Sequence, residues 1–345
     1  MAAINEDLIT KVFAQMAIYK PSLSKYLPDE SDEEDIDYRI LADLITKNFP
    51  WSIGVELRRL FSGSMRQPGR LRLDQIFKTI ERTIQFVSFV MVCQVWFDVV
   101  NKKVTLPEQV KKEFADRFTL LTMGNFCWLI RAFATIYTDQ KIEWFLPEMN
   151  QQFDKKLFAA LDFWVPERNE IGHYQINLGE EEIERRCVEY EEKLTFILER
   201  MAFFSKYRLV SVRDIKVIKP RIREAKFHHI IDLLNSSDSD FKGEEIDETK
   251  FSDSQSVLLL KSLKSFDNYL NLSPLIIDTN SEIIDTKEKF DIRKDIFMYT
   301  KYKNDHLMYL GTEVTEKCDL RALSIYNVLL EEYKSLMLAI GGVQI

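Results

Sequence analysis

Tyr207 separates two textures that demand different secondary structures. From Ile36 to about Lys206, apolar residues recur at three- and four-residue intervals, the spacing that lines one face of a helix. The pattern predicts helices over 38–47, 55–61, 73–100, 107–115, 123–137, 150–163, 166–174 and 180–204, joined by short loops. Pro107, Pro147 and Pro166 fall where a proline suits a first helical turn. After Tyr207 the apolar residues come in short β-branched and aromatic runs, at 209–217, 227–233, 257–260, 275–278, 295–299 and 306–310. Polar, turn-rich segments such as 235–253 separate them. Alternation through Ile296, Phe297, Met298 and Tyr299, then Asn304-Asp305, then Leu307 and Tyr309 predicts a hairpin with one wet face.

The expected organisation has three parts. Residues 1–37 hold a helix over 5–19, with Leu8, Val12, Phe13 and Met16 on one face, and an acidic run from Asp29 to Asp37 read as a solvated linker. Residues 38–206 form a helical bundle. Residues 207–345 form a smaller β-rich (α+β) domain closed by a C-terminal helix over about 319–340, so the fold class is mainly α.

Composition narrows the class of protein. With 46% apolar and 30% charged residues and only 10 Gly and 9 Pro, the chain is neither disordered nor low in core-forming residues. Cys93, Cys127, Cys187 and Cys318 are far apart and form no C-x-x-C pair, which argues against a zinc knuckle or a disulfide framework. The start carries Glu6 and Asp7 and lacks the pattern of a signal peptide, so the expected localisation is cytoplasmic. The apolar stretch 84–100 contains Gln85, Gln94 and Asp98 and is read as a core helix, with no membrane partner. A net charge of −8 disfavours a general nucleic-acid coat, although it leaves room for a local basic groove.

The chain has no G-x-x-x-x-G-K-[ST], G-x-G-x-x-G or H-E-x-x-H, so nucleotide hydrolysis, dinucleotide redox and zincin chemistry are not expected. No D-x-D or E-x-K context beside a strand points to a metal-dependent nuclease, and no cofactor is expected. Four histidines remain as candidates, His173, His228, His229 and His306. His173 ends the segment Arg168-Asn169-Glu170-Ile171-Gly172-His173, which reads R-N-x-x-x-H ahead of the last long helix of the bundle. In a helix Asn169 and His173 share a face, and Arg168 points to a neighbouring one. A bare R-x(4–6)-H arises by chance in roughly half of such chains, but the Asn after the Arg lowers the odds to about one in a hundred. Arg223 also precedes His228 and His229 at such spacings, yet it lacks the Asn and sits among strands.

On these residues the first two-thirds of the chain resembles the HEPN (higher eukaryotes and prokaryotes nucleotide-binding) family of helical bundles. That resemblance implies metal-independent cleavage of RNA by attack of the 2′-hydroxyl on the adjacent phosphate, leaving a cyclic phosphate. It implies that His173 shuttles the proton, Arg168 holds the phosphate and Asn169 orients either one. It also implies a homodimer, and an effector role in a bacterial antiphage defence or toxin system. Tyr174 departs from the small residue many members place after the His.

Between Lys206 and Lys226, eight cations face two acids. Arg208, Arg213, Lys216, Lys219, Arg221, Arg223 and Lys226 are the candidate RNA-binding residues of this stripe, with Tyr207 and Phe227 as candidate stacking platforms. A second basic stretch surrounds Arg66, Arg70 and Arg72. The same residues admit another reading: His173 fills the bundle, Arg168 pairs with Glu170 or a neighbouring acid, and the protein is a non-catalytic dimerisation or adaptor module that binds a partner protein or nucleotide.

Overall fold

The structure is a computed structural model. It describes residues 5–27, 36–174, 178–234, 243–248, 250–264, 266–279, 295–312 and 320–345, without the side chains of Asn169 and of residues 171–174. The acidic run is thereby outside the described residues except for its last member, Asp37. Of the described residues 58% are helical and 17% lie in strands, which form two small antiparallel sheets, so the class is α+β and mainly helical.

The helices are α1 (Glu6–Tyr19), α2 (Tyr38–Asn48), α3 (Trp51–Leu60), α4 (Arg70–Val100), α5 (Glu108–Phe118), α6 (Met123–Gln140), α7 (Met149–Gln152), α8 (Lys155–Tyr174) and α9 (Glu180–Met201). The strands follow as β1 (Arg208–Ile218), β2 (Lys226–Leu233), β3 (Gly243–Glu248), β4 (Val257–Leu260), β5 (Tyr269–Asn271), β6 (Ile276–Asp278), β7 (Ile296–Lys303) and β8 (His306–Gly311). The last helix is α10 (Tyr326–Gly341). Two compact units result. Among the described residues, unit 1 comprises those of 5–86 and 148–207, and unit 2 comprises 87–147, 208–234 and those of 243–345. The texture boundary at Tyr207 is also a unit boundary, but 87–147, assigned by its periodicity to the first bundle, groups with the strands. Helical periodicity identifies a helix and its apolar face; it does not say which partner covers that face.

Unit 1 is a helical bundle. Leu8, Val12, Phe13 and Met16 of α1 are buried, as their spacing predicts, and α1 packs on α2 and α9. Asp37 caps α2, its carboxylate accepting from the Arg39 and Ile40 amides at 2.9 and 3.3 Å. α3 meets α2 closely because Gly54 has no side chain: a Cβ there would lie 2.4 Å from the Thr46 carbonyl oxygen. Gly54→Ala is therefore expected to cost about 1–3 kcal/mol in chemical denaturation, whereas the same change at the open Gly69 should cost under about 1 kcal/mol. α8 does not break at Pro166, where a first helical turn was expected; the proline sits inside one continuous helix. Tertiary packing overrides its local cost. Just before it, Trp164 is fully buried and meets Phe77 and Tyr190 edge-on, both at 5.5 Å between ring centroids.

Unit 2 carries a five-stranded sheet in the order β3-β2-β1-β4-β5 and a three-stranded sheet β6-β7-β8. Val210, Val212, Ile231, Leu258, Leu260 and Phe266 form the core against the larger sheet. The β7–β8 hairpin turns at Asn304-Asp305, whose φ values of 52° and 61° suit a two-residue turn. Its expected wet face is absent at the start of β7, where Ile296, Phe297, Met298 and Tyr299 are all buried. β7 is the central strand, and Tyr299 reaches a second layer, bonding the Phe118 carbonyl at 2.9 Å and the Tyr333 hydroxyl at 2.6 Å. β3 and β5 lie in segments read as loops. β3 spells Gly-Glu-Glu-Ile-Asp-Glu, an edge strand whose charges discourage further pairing and hide its strand character.

α4 is 31 residues long and apolar enough to cross a membrane by length and composition, but 78% of its most apolar window is buried inside the protein, as in a core helix. Cys93, Cys127 and Cys187 are buried thiols that form no disulfide among the described residues; Cys318 lies outside the described residues.

Candidate functional site

The R-N-x-x-x-H motif lies at the C-terminal end of α8, whose helical backbone runs through all six residues. Arg168 is exposed and its guanidinium meets the carboxylate of Glu81 on α4, with N–O distances of 3.3 and 3.4 Å. An exposed pair of this kind is worth about 0.2–1 kcal/mol, little enough for a phosphate to displace it. The side chains of Asn169 and His173 lie outside the described residues.

Around the motif the charge is mostly negative. Arg186 of α9 is gripped by Glu182 at 2.6 Å and Glu170 at 2.9 Å, with Glu167 3.7 Å away. Those carboxylates hold its guanidinium above the ordinary arginine range. Hydrogen bonds from Arg185 and Arg186 in turn pull Glu182 down to about 2. Glu167 also accepts a hydrogen bond from the Tyr190 hydroxyl, and burial, with that bond, pushes Tyr190 above its usual value. Neither Glu81 nor Arg186 was expected beside the motif, since they come from other helices at separations no short pattern spans.

The seven candidate RNA-binding residues divide. Arg208 is half-buried, and burial lowers its affinity for a proton. Arg213 occupies the bulge of β1, where the register slips between Val212 and Asp214, and the bulge turns its guanidinium onto the buried Asp232 of β2. Lys216, Lys219, Arg221, Arg223 and Lys226 are exposed at the far end of the β1–β2 hairpin, with Val217, Ile218 and Ile222 also exposed among them. Lys219 spans the turn to the Arg223 carbonyl at 2.5 Å. Of the aromatic residues, Tyr207 is buried and bonds Glu148, and Phe227 packs edge-on against Phe251. Arg72, from the second basic stretch, is buried too.

The other histidines have structural settings. His228 stands between Asp247 at 2.8 Å and Glu245 at 3.4 Å. His229 is buried, stacked on Phe266 with centroids 4.7 Å apart. His306 meets Arg321 at 3.3 Å.

Compared with known proteins, the chain matches no family model, no curated protein and no solved structure. Its class is structural: a mainly helical α+β protein with Arg168 exposed near the C-terminal end of α8.

Proposed function

We propose that the chain is a metal-independent endoribonuclease of the HEPN type, acting as a homodimer and serving as an effector in a bacterial antiphage defence or toxin system. The observation that supports it is the exposed Arg168, five residues before His173 on α8 and held among the described residues by a solvent-facing pair. Arg168 would bind the scissile phosphate in place of Glu81, His173 would move the 2′-hydroxyl proton, and Asn169 would orient them. The cationic tip of the β1–β2 hairpin would add sequence-independent contacts to RNA phosphates.

A second reading, a non-catalytic adaptor, is favoured by one specific observation: Glu81 holds Arg168 of the motif, Glu167, Glu170 and Glu182 surround the neighbouring Arg186, and these acids would repel a polyanion.

Incubation of the full chain with labelled tRNA and mRNA in EDTA decides between them. The nuclease reading expects cleavage that leaves cyclic phosphate ends, is lost in His173→Ala and accompanies a dimer in light scattering. Glu81→Gln should then lower KM about two- to fivefold, because the pair it removes is worth no more than about 1 kcal/mol. Intact RNA with wild type and with Glu81→Gln, from a folded dimer, selects the adaptor.

A further inference from the structure

Unit 2 contains a cavity of about 940 Å³, at the upper end of the range for small-molecule sites. α4 contributes one side, the 142–145 segment after α6 a second, the region of β5 a third, and α10 a fourth. The walls are fixed by an internal network. Gln94 bonds Asp98 at 3.1 Å, the Glu143 carbonyl at 3.2 Å and the Phe145 amide at 2.7 Å, and the Tyr137 hydroxyl donates to Asp98 at 2.7 Å. Trp144 stacks on Tyr137 with ring centroids 3.8 Å apart.

The lining pairs aromatic faces with carboxylates. Trp96, Phe97, Trp144, Phe145 and Tyr269 face the cavity together with Asp98, Glu143, Asp253, Asp267 and Glu332, and among the described lining residues the one cation is Lys103. Two of these acids have cations of their own: Asp98 has Lys103 at 3.5 Å, and Asp267 has Lys250 at 2.6 Å. Among the described residues Glu143, Asp253 and Glu332 have none. Asp253 accepts from the Asn271 amide at 2.9 Å and hydrogen-bonds Tyr269, neither of which carries a charge. The rings already receive cations from the protein, Lys103 over Phe97 at 5.1 Å and Lys261 over Phe145 at 4.7 Å. Among the described residues no three His, Cys, Asp or Glu side chains come together as metal ligands, so the acids are spread around the cavity instead of converging on a point.

We propose that this cavity binds a small organic polyamine, a flexible chain whose ammonium groups meet the uncompensated carboxylates and whose methylenes lie on the aromatic faces. A spread of acids suits charges separated along a chain, and a metal ion would need them gathered within a few ångströms. The site is independent of the ribonuclease reading and shares no residue with it.

One group makes the binding pH-dependent. Burial, reinforced by Asp253, raises Glu332 to about 7. Cys93 of α4 and Tyr309 of β8 also lie within electrostatic reach of it, and neither supplies a positive charge. As pH rises through that value Glu332 becomes an unpaired carboxylate next to Asp253, while alkyl ammonium groups stay protonated until about pH 10. Polyamine binding therefore strengthens from pH 6 to pH 8.

The test is calorimetric titration of the full chain with spermidine, with magnesium chloride titrated separately. We expect one saturable spermidine site at pH 8 that weakens about three- to tenfold at pH 6. Glu332→Gln, which keeps the shape of the side chain, should weaken binding about tenfold at pH 8 and abolish the pH dependence. Asp253→Asn gives a second variant, and both must retain the wild-type circular dichroism spectrum. Absence of saturable spermidine binding at millimolar concentration, or equal affinity in wild type and both variants, overturns the proposal. So does magnesium binding that the variants abolish while spermidine fails to bind.

Discussion

Replacing Arg72 with methionine is expected to cost unit 1 about 3–5 kcal/mol, because it strips the partner from a charge held inside the protein. The Arg72 side chain has no exposed surface, and Glu191, its partner from α9 at 2.6 Å, is 15% exposed. The same guanidinium donates to Asn5 Oδ1 at 2.8 Å and to the Met65 carbonyl at 2.6 Å. It thus joins the start of α1, the loop before α4, and α9. Asn5 is itself held by Glu191, which accepts its backbone N–H at 2.9 Å. Methionine fills much of the volume but donates nothing, so among the described residues Glu191's carboxylate keeps that one amide. The pair is weak grounds for claiming net stabilisation over an apolar core, yet breaking it is expensive. Combining Arg72→Met with Glu191→Leu should therefore recover more than half of the loss. Urea denaturation followed by far-ultraviolet circular dichroism measures both. A loss below about 1 kcal/mol for the single variant, or no recovery in the double, would show that water reaches the pair and screens it.

Arg72 also illustrates where a sequence stops informing. It belongs to a stretch that reads as basic, and only the fold reveals that it is turned inward while Lys216, Lys219, Arg221, Arg223 and Lys226 stay in solvent. The helices before Tyr207 were legible because a buried face imposes a three- to four-residue period, and Leu8, Val12, Phe13 and Met16 obey it. β4 was legible from Val257-Leu258-Leu259-Leu260, all buried. β3 was not, since an edge strand facing solvent needs few apolar residues, and β5, three residues long, carries almost no pattern. The grouping of 87–147 with the strands depends on contacts distant in sequence. Of the candidate site, Arg168 was legible from a local motif. Glu81 and Arg186 were invisible, being neighbours by helix packing alone, and so was the aromatic and acidic cavity, whose walls come from segments more than 200 residues apart, Cys93 to Ser335.

Arg213 separates structural from RNA-binding cations most sharply, and its replacement by methionine is expected to cost unit 2 about 2–4 kcal/mol at pH 8. Asp232 is fully buried, and its Oδ1 has no hydrogen-bond partner among the described residues. Burial holds its carboxyl above the usual carboxylate range, and the Arg213 guanidinium opposes that shift. Without Arg213 the shift grows, which fixes the sign of the pH dependence. A carboxyl that binds its proton more tightly in the folded state contributes stability that is complete below its unfolded value, about 3.9, and is lost as pH rises through the folded value. The variant's deficit should therefore roughly halve between pH 8 and pH 5, as the buried carboxyl takes up a proton. Adding Asp232→Asn should remove most of the deficit at pH 8, because an amide needs no counter-charge. Replacing Arg221 or Lys226 by glutamine, at the exposed tip, should change stability by under about 0.5 kcal/mol. Arg213 is itself 42% exposed but committed to Asp232, which leaves the tip cations for phosphate contacts, so their loss should flatten the salt dependence of RNA binding, by about one unit of slope for each contact removed. If Arg213→Met instead leaves the pH–stability profile unchanged and flattens the salt dependence, its guanidinium serves the RNA, and the bulge of β1 aims it outward.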